Sequence, residues 1–140
     1  MGQVKAPDRA LVVLALIALV QGLALIGYAV FDMVEAVRVG TTGPEEVSSA
    51  PALLLLIVTT AAFGLGLLLV AGGWWRARRW ARAPFLVAQL IFGLIGYELS
   101  QAEGAVERAV GYACVLVAIG GLALSFAPAV ARAIDDPDSA

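Results

Sequence analysis

The chain has 140 residues, of which 61% are hydrophobic and only 14% are charged, with 9 Lys and Arg against 11 Asp and Glu. A soluble domain carries about 25% charged residues. This composition excludes a disordered chain, a nucleic-acid-binding protein and an ordinary soluble domain. We therefore interpret the chain as an integral membrane protein.

Four apolar runs follow one another along the chain, and each predicts a membrane helix. Leu11–Phe31, Ala52–Ala71 and Ala109–Ala131 contain no charge over 21, 20 and 23 residues. Pro84–Tyr97 has 14 residues and becomes long enough only if Glu98 is admitted, which extends the run to Ala102. A hydrocarbon core about 30 Å thick needs about 20 helical residues, so all four runs qualify on these terms.

The predicted fold is all-α, a transmembrane four-helix bundle made of two helical hairpins. A single transmembrane domain covers 1–134, with helices at about 10–38, 52–73, 84–103 and 106–131, and a polar C-terminal tail covers 135–140. Turn-forming Gly, Pro, Ser and Thr residues fill the connection between the first two helices.

Lys and Arg residues set the expected orientation, because cytoplasmic loops carry an excess of them. Seven of the nine fall in the N-terminal segment, the loop at 76–82 and the C-terminal tail, and only Arg38 and Arg108 fall on the other side. Both termini are therefore expected in the cytoplasm and Thr41–Ser49 outside, in a multi-pass protein of the plasma membrane. The Trp residues lie at the inner boundary and Tyr28, Tyr97 and Tyr112 towards the outer one.

Small and polar residues recur three and four positions apart, which predicts the helix faces that pack against other helices. The predicted faces are Gln21, Leu25, Tyr28, Asp32 and Glu35 in the first helix, flanked by Ala15, Ala18, Gly22 and Ala29; Ala52, Thr59, Gly66 and Gly73 in the second; Gln89, Gly93, Gly96, Ser100 and Glu103 in the third; and Glu107, Gly111, Cys114, Ala118, Gly121, Ser125 and Pro128 in the fourth. Such residues allow backbones to approach, whereas Leu gains little by leaving lipid for another Leu.

Polar side chains on or near these faces form a candidate ion site or polar interior, namely Gln21, Tyr28, Asp32, Glu35, Thr59, Gln89, Glu98, Glu103 and Glu107. Glu98 lies about 180° from the third helix's small-residue face. It is either an ion or proton site or a carboxylate that reaches the outer headgroups. The other carboxylates either ring an outer vestibule or mark solvated helix ends.

A basic and aromatic run lies between the second and third helices. Its predicted headgroup-binding residues are Trp74, Trp75, Arg76, Arg78, Arg79, Trp80 and Arg82. Arg beside Trp at the inner boundary suits anionic lipids of the inner leaflet. Determination of topology alone would also explain the run.

The sequence indicates no catalytic chemistry. His is absent, Cys114 is the single cysteine, and no nucleophile elbow, phosphate loop or dinucleotide fingerprint occurs. We expect no catalytic residue, no cofactor, no metal site and no nucleic-acid partner. The favoured function is a non-enzymatic accessory or scaffold bundle that packs on lipid or a larger membrane complex. The alternative is a small oligomeric transporter or channel with an acidic outer vestibule.

One short motif occurs twice, as Leu25-Ile26-Gly27-Tyr28 and as Leu94-Ile95-Gly96-Tyr97. Both copies lie near the outer end of an outward-running helix, with a Gln upstream. Two interpretations stay open, a parallel repeat of hairpins or coincidence in a sequence of few residue types.

Two further stretches carry a resemblance. Arg78–Pro84 leading into Val87-Ala88-Gln89-Leu90, and Leu124–Val130 followed by Arg132, resemble segments of small four-helix integral membrane proteins of actinobacteria. The resemblance implies a plasma-membrane location. It implies no activity and transfers no functional residue.

Overall fold

The computed structural model describes residues 8–39 and 50–135. These residues form helices joined by short turns, with no strand among them. The helices are α1 (Arg9–Val39), α2 (Ala50–Trp75), α3 (Arg82–Ser100), α4 (Ala105–Ser125) and α5 (Pro128–Asp135), with a short 3-10 helix (Arg79–Ala81) before α3. The first four spans are long and apolar enough to cross a membrane. This confirms the all-helical class with four candidate membrane-spanning helices. The predicted outer loop Thr41–Ser49 and residues 136–140 of the predicted tail lie outside the described residues.

The fourth helix is shorter than the sequence predicts, because Pro128 interrupts it. The expected helix at 106–131 is instead α4 and α5, joined at Phe126 and Ala127. Pro128 has no N–H to donate to Leu124, and its ring disfavours helical backbone at the preceding residue. The N–H of Ala127 donates to the Leu124 carbonyl at 3.0 Å and closes α4, and Pro128 then begins α5, a position where its missing N–H is not needed.

The third helix also ends early. It was expected to reach residue 103, but α3 ends at Ser100 and is followed by a turn in which the N–H of Gln101 donates to the Glu98 carbonyl. Gly104 then takes an extended conformation and caps the start of α4. Glu103 therefore lies in the turn and not on the packing face of a helix.

The sequence predicts one domain, but the contacts within the chain define two compact units. The first comprises Met1–Ala18 with Val70–Ala140, and the second comprises Leu19–Leu69.

The core of the first unit gathers the beginning of α1, the end of α2, the 3-10 helix, the beginning of α3 and α5. Its buried members are Leu11, Leu14, Ala15, Ala18, Val70, Ala71, Trp74, Ala81, Phe85, Val130 and Ile134. The Trp74 and Phe85 rings meet edge to face, with centroids 5.6 Å apart and planes at 88°, an arrangement that the ring quadrupoles favour.

In the same unit α3 and α4 pack against each other along small residues. A Cβ atom added at Gly96 would lie 2.8 Å from the Cys114 Cβ and 2.9 Å from the Gly111 carbonyl oxygen. Real Cβ atoms essentially never come so close. The contact therefore depends on Gly96 having no side chain.

In the described part of the second unit, two helices also approach closely at glycines. A Cβ atom added at Gly22 of α1 would lie 2.9 Å from the carbonyl oxygen of Gly64 of α2. One added at Gly64 would lie 2.7 Å from the Ile26 Cγ1 atom. The backbones of α1 and α2 therefore approach each other at this pair of glycines.

Candidate functional site

The polar face predicted for α1 is rotated in the structure. Gln21 is buried, but Tyr28 is 54% exposed and Glu35 is exposed as well. Gly22 and Ala29, predicted to flank the face, are buried instead. Small residues, and not Tyr28 or Glu35, therefore define the contact of α1 within this chain, and a polar interior that includes Tyr28 and Glu35 stays a prediction.

Of the face predicted for α2, only Gly73 is buried in the structure. Ala52 and Thr59 are exposed, and a Cβ atom added at Gly66 would meet nothing within 4 Å. The buried positions are Gly64, Leu67, Val70, Ala71, Gly73 and Trp74. Thr59 therefore lies away from the contacts within this chain, and its place in a polar interior stays a prediction. The helix is apolar on every side, so periodicity contains almost no information about its inner face.

The faces of α3 and α4 lie close to their predicted positions. Gln89 is fully buried, and Gly111, Ala118, Gly121 and Ser125 are buried on α4. A Cβ atom added at Gly121 would lie 3.2 Å from the Gln89 Cδ atom, whereas one added at Gly120 would meet nothing within 4 Å. Gly121 and Gln89 therefore lie in contact.

The hydroxyls of Ser100 and Ser125 do not bridge helices. Ser100 Oγ donates to the Tyr97 carbonyl at 2.6 Å, and Ser125 Oγ donates to the Leu122 carbonyl at 2.7 Å. Both bonds stay within one helix, since a Ser hydroxyl readily reaches the carbonyl of the preceding turn.

The carboxylates are mostly exposed. Glu98 is exposed and lies two residues before the end of α3, and Glu103 is exposed in the turn. The Glu107 carboxylate lies against Gly104 in the first turn of α4, where the helix dipole favours a negative charge. These positions favour the interpretation as helix-end carboxylates.

Asp32 differs from the other carboxylates. Its side chain is half-buried, and its Oδ2 atom is buried with no hydrogen-bond partner among the described residues. Across the described ranges no three acidic or cysteine side chains are arranged as a group that could hold a metal ion.

The basic run forms an exposed turn with one exception. Trp75 and Trp80 are 58% and 54% exposed, and the side chains of Arg76, Arg78 and Arg79 are exposed as well. Trp74, in contrast, is fully buried in the core of the first unit, and its indole nitrogen has no partner in the described part of the chain. The prediction that Trp74 contacts lipid headgroups is therefore wrong. Trp74 lies one residue, or about 100° of helix, before Trp75 and so faces inward.

Two contacts connect this turn to the end of the chain. Arg79 Nη2 lies 2.8 Å from Asp135 Oδ1, and both side chains of this ion pair are exposed. The Arg82 guanidinium lies 5.0 Å from the centre of the Phe126 ring, at the junction of α4 and α5. Two of the four arginines are therefore held by partners within the first unit.

The turn after α2 has a left-handed residue. The N–H of Arg78 donates to the Gly73 carbonyl at 2.8 Å, and the N–H of Ala77 donates to the Trp74 carbonyl at 3.0 Å. Ala77 has φ of 52°. These are the two hydrogen bonds of a Schellman motif, in which the left-handed residue is usually Gly.

The two copies of the short motif occupy different surroundings. Gly27 is exposed and open, whereas Gly96 is buried against α4. This difference favours coincidence over a structural repeat.

Comparison of the chain with protein-family models, curated proteins and solved structures finds no match.

Proposed function

We propose that this chain is a non-enzymatic integral membrane protein of the plasma membrane, an accessory or scaffold bundle that packs on lipid or a larger membrane complex. The observation that carries the proposal is the presence of four helices suited to spanning a bilayer, whose exposed surfaces are rich in Leu, Val, Ile and Phe. Such surfaces are stable in lipid and also fit other apolar helices.

The proposed bundle consists of two hairpins, α1 with α2 and α3 with α4. Close approach at Gly22 and Gly64 supports the first hairpin, and close approach at Gly96 and Gly111 supports the second. The short turn between α3 and α4 requires antiparallel neighbours, which also fits a hairpin.

In the proposed orientation both termini and the basic turn lie in the cytoplasm. The distribution of Lys and Arg supports this assignment. Exposure of Trp75 and Trp80 beside Arg76 and Arg78 supports contact of this turn with the headgroup region, where Trp side chains concentrate.

A structural role also fits the polar groups inside the molecule. The buried polar side chains within the described ranges are Gln21, Gln89 and Ser125. Two amides and a hydroxyl can hydrogen-bond in a packed interior, but they lack the base that would activate a nucleophile.

Purification of the tagged chain in mild detergent tests the accessory role. The expected result is a complex whose mass exceeds that of the chain and which contains a second, different membrane protein in fixed proportion. An equally tagged, unrelated four-helix membrane protein from the same cells is the control. Recovery of this chain alone, as a monomer or a homo-oligomer, would contradict the accessory role.

The buried Oδ2 atom of Asp32, which has no hydrogen-bond partner among the described residues, is the observation that favours a small transporter or channel as the second candidate. Flux of protons and of monovalent cations into proteoliposomes measures this activity. We expect no flux. If the parent chain does conduct, Asp32→Asn and Glu98→Gln identify the participating carboxylate, with Glu107→Gln at the start of α4 as the control. A flux that Asp32→Asn abolishes would replace the accessory role with transport.

A further inference from the structure

Arg79 forms an ion pair with Asp135 but remains largely exposed. Its guanidinium contacts the Asp135 carboxylate at 2.8 Å, yet the Arg79 side chain remains 75% exposed and that of Asp135 58% exposed. Arg76 and Arg78, on the same turn, have no carboxylate partner among the described residues. Within the described ranges, the turn therefore presents exposed arginines without a carboxylate partner beside an ion pair that is itself exposed.

This ion pair is weak enough to exchange. An exposed Arg–Asp pair is worth at most about a fivefold preference for the paired state. Attraction of a basic side chain to an anionic membrane surface has about the same strength. The Asp135 carboxylate and a lipid phosphate therefore compete for Arg79 on similar terms.

We propose that Arg79, flanked by Arg78 and Trp80, binds the headgroup phosphate of an anionic phospholipid, and that Asp135 at the end of α5 competes for the same guanidinium. The inference rests on the proposed function in one respect, which is that the basic turn lies at a membrane surface. It adds the lipid class and a competitor that belongs to the chain itself.

The structure of α5 explains why this competition does not require unfolding. Val130 and Ile134 are buried in the core of the first unit, at 0% and 4% exposure, and hold the helix in place. Asp135 follows directly and needs only to change its side-chain rotamer to release Arg79. Among the other charged groups nearby, Arg132 donates to the Pro128 carbonyl and Arg82 lies over Phe126.

The sequence charges of the C-terminal segment and of the basic turn are opposite, as the proposed competition requires. The sequence continues after Asp135 with Asp136 and Asp138, whereas the turn carries Arg76, Arg78, Arg79 and Arg82. The Asp135 carboxylate partly neutralises the turn and so lowers its attraction for anionic lipid, because the two charges of the ion pair are 2.8 Å apart, well within a Debye length of about 8 Å.

The test measures lipid selectivity of the full chain in bilayer discs made of phosphatidylcholine with a minor fraction of phosphatidylglycerol. Spin-labelled analogues of the two lipids report the fraction immobilised by the protein. We expect Asp135→Asn to raise the preference for phosphatidylglycerol by about two- to fivefold and Arg79→Gln to lower it by a similar factor. In the double variant, Asp135→Asn should have little remaining effect.

Matched controls come from the other end of the bundle. Glu107→Gln and Arg108→Gln change one exposed charge each in the first turn of α4, and they should leave the selectivity unchanged. Melting temperatures of all variants identify any that fold poorly, and added salt should abolish the difference between the parent and Asp135→Asn. Inorganic phosphate should not displace the labelled lipid, since the bilayer holds the headgroup at the surface.

An unchanged selectivity in Asp135→Asn, or equal gains with and without Arg79, would overturn the proposal. Both leaflets of the disc have the same composition, so this result does not depend on which side of the membrane is cytoplasmic. Failure of the competition would therefore leave the accessory role and the orientation unaffected, and failure of chain insertion would show as immobilisation of neither lipid.

Discussion

Gly96 and Gly93 occupy successive turns of α3 but face very different space. A Cβ atom at Gly96 would lie within 3.0 Å of atoms of α4, whereas one at Gly93 would make only an ordinary contact with the Ala118 Cβ at 3.5 Å. Substitution of Ala for Gly changes helix propensity at both positions but disturbs the packing against α4 only at Gly96. Comparison of the two variants therefore distinguishes the two effects on stability.

We predict that Gly96→Ala lowers the stability of the folded chain and that Gly93→Ala does not. Gly96→Ala forces α3 and α4 apart, at a cost of about 1–3 kcal/mol. Gly93→Ala gains up to about 1 kcal/mol, because Ala favours the helix more than Gly does. Thermal unfolding in one detergent measures both variants, and equal melting temperatures would contradict the packing of α3 on α4.

Trp74 and Trp75 are adjacent in the chain but differ completely in burial. Both belong to the same basic and aromatic run, and a sequence pattern assigns both to the headgroup region. The structure buries Trp74 against Phe85 and leaves Trp75 58% exposed. The composition of the run predicts that it lies at the membrane boundary. Which of the two rings is buried depends on the elements that pack against the run.

At the scale of elements, the turn that ends α2 contains the one non-glycine residue with positive φ in the described ranges, Ala77. A left-handed conformation places its Cβ atom too close to the following carbonyl, at about 1–2 kcal/mol. The turn is nevertheless formed, because its two hydrogen bonds close the end of α2 and position the arginines that follow.

We predict that Ala77→Gly raises the stability of the chain by about 1 kcal/mol, since Gly removes the left-handed penalty. The matched control is Ala113→Gly, at an exposed position inside α4, which should lower stability by about 1 kcal/mol. Melting temperatures in detergent measure both changes. A loss of stability in both variants would show that Ala77 is not strained.

Helix boundaries could be predicted where the chain carries a local signal. The break between α4 and α5 has such a signal in Pro128, which the seven-residue spacing of small side chains obscured. The inner face of α2 has none, because Leu, Val, Ala and Gly surround the whole helix. Where every face is apolar, the position of the contact depends on the partner helix and not on the pattern.

At the scale of the whole molecule, orientation is the property that the charge distribution predicts most directly. In a Cys114→Ala background, a cysteine at Thr42 should react with a membrane-impermeant thiol reagent added to intact cells, and a cysteine at Ala83 should not. Ala83 is exposed beside the basic turn, so a lack of reaction there would reflect the membrane barrier. Permeabilised cells, in which both sites should react, are the control, and the reverse pattern in intact cells would overturn the orientation.

The sequence by itself determined the class of this protein, the number of candidate membrane spans and the absence of histidine chemistry. These properties follow from composition and run length, because a bilayer selects for apolar length and internally satisfied backbone regardless of neighbours. The sequence pattern places Gly22 and Gly96 at or beside packing faces. The tertiary structure was needed to identify Gly64 as the partner of Gly22, to place Trp74 in the core and to pair Asp135 with Arg79. In lipid, apolar side chains have little preference between bilayer and protein, so the inward faces are chosen by fit between particular helices, which no single run of residues encodes.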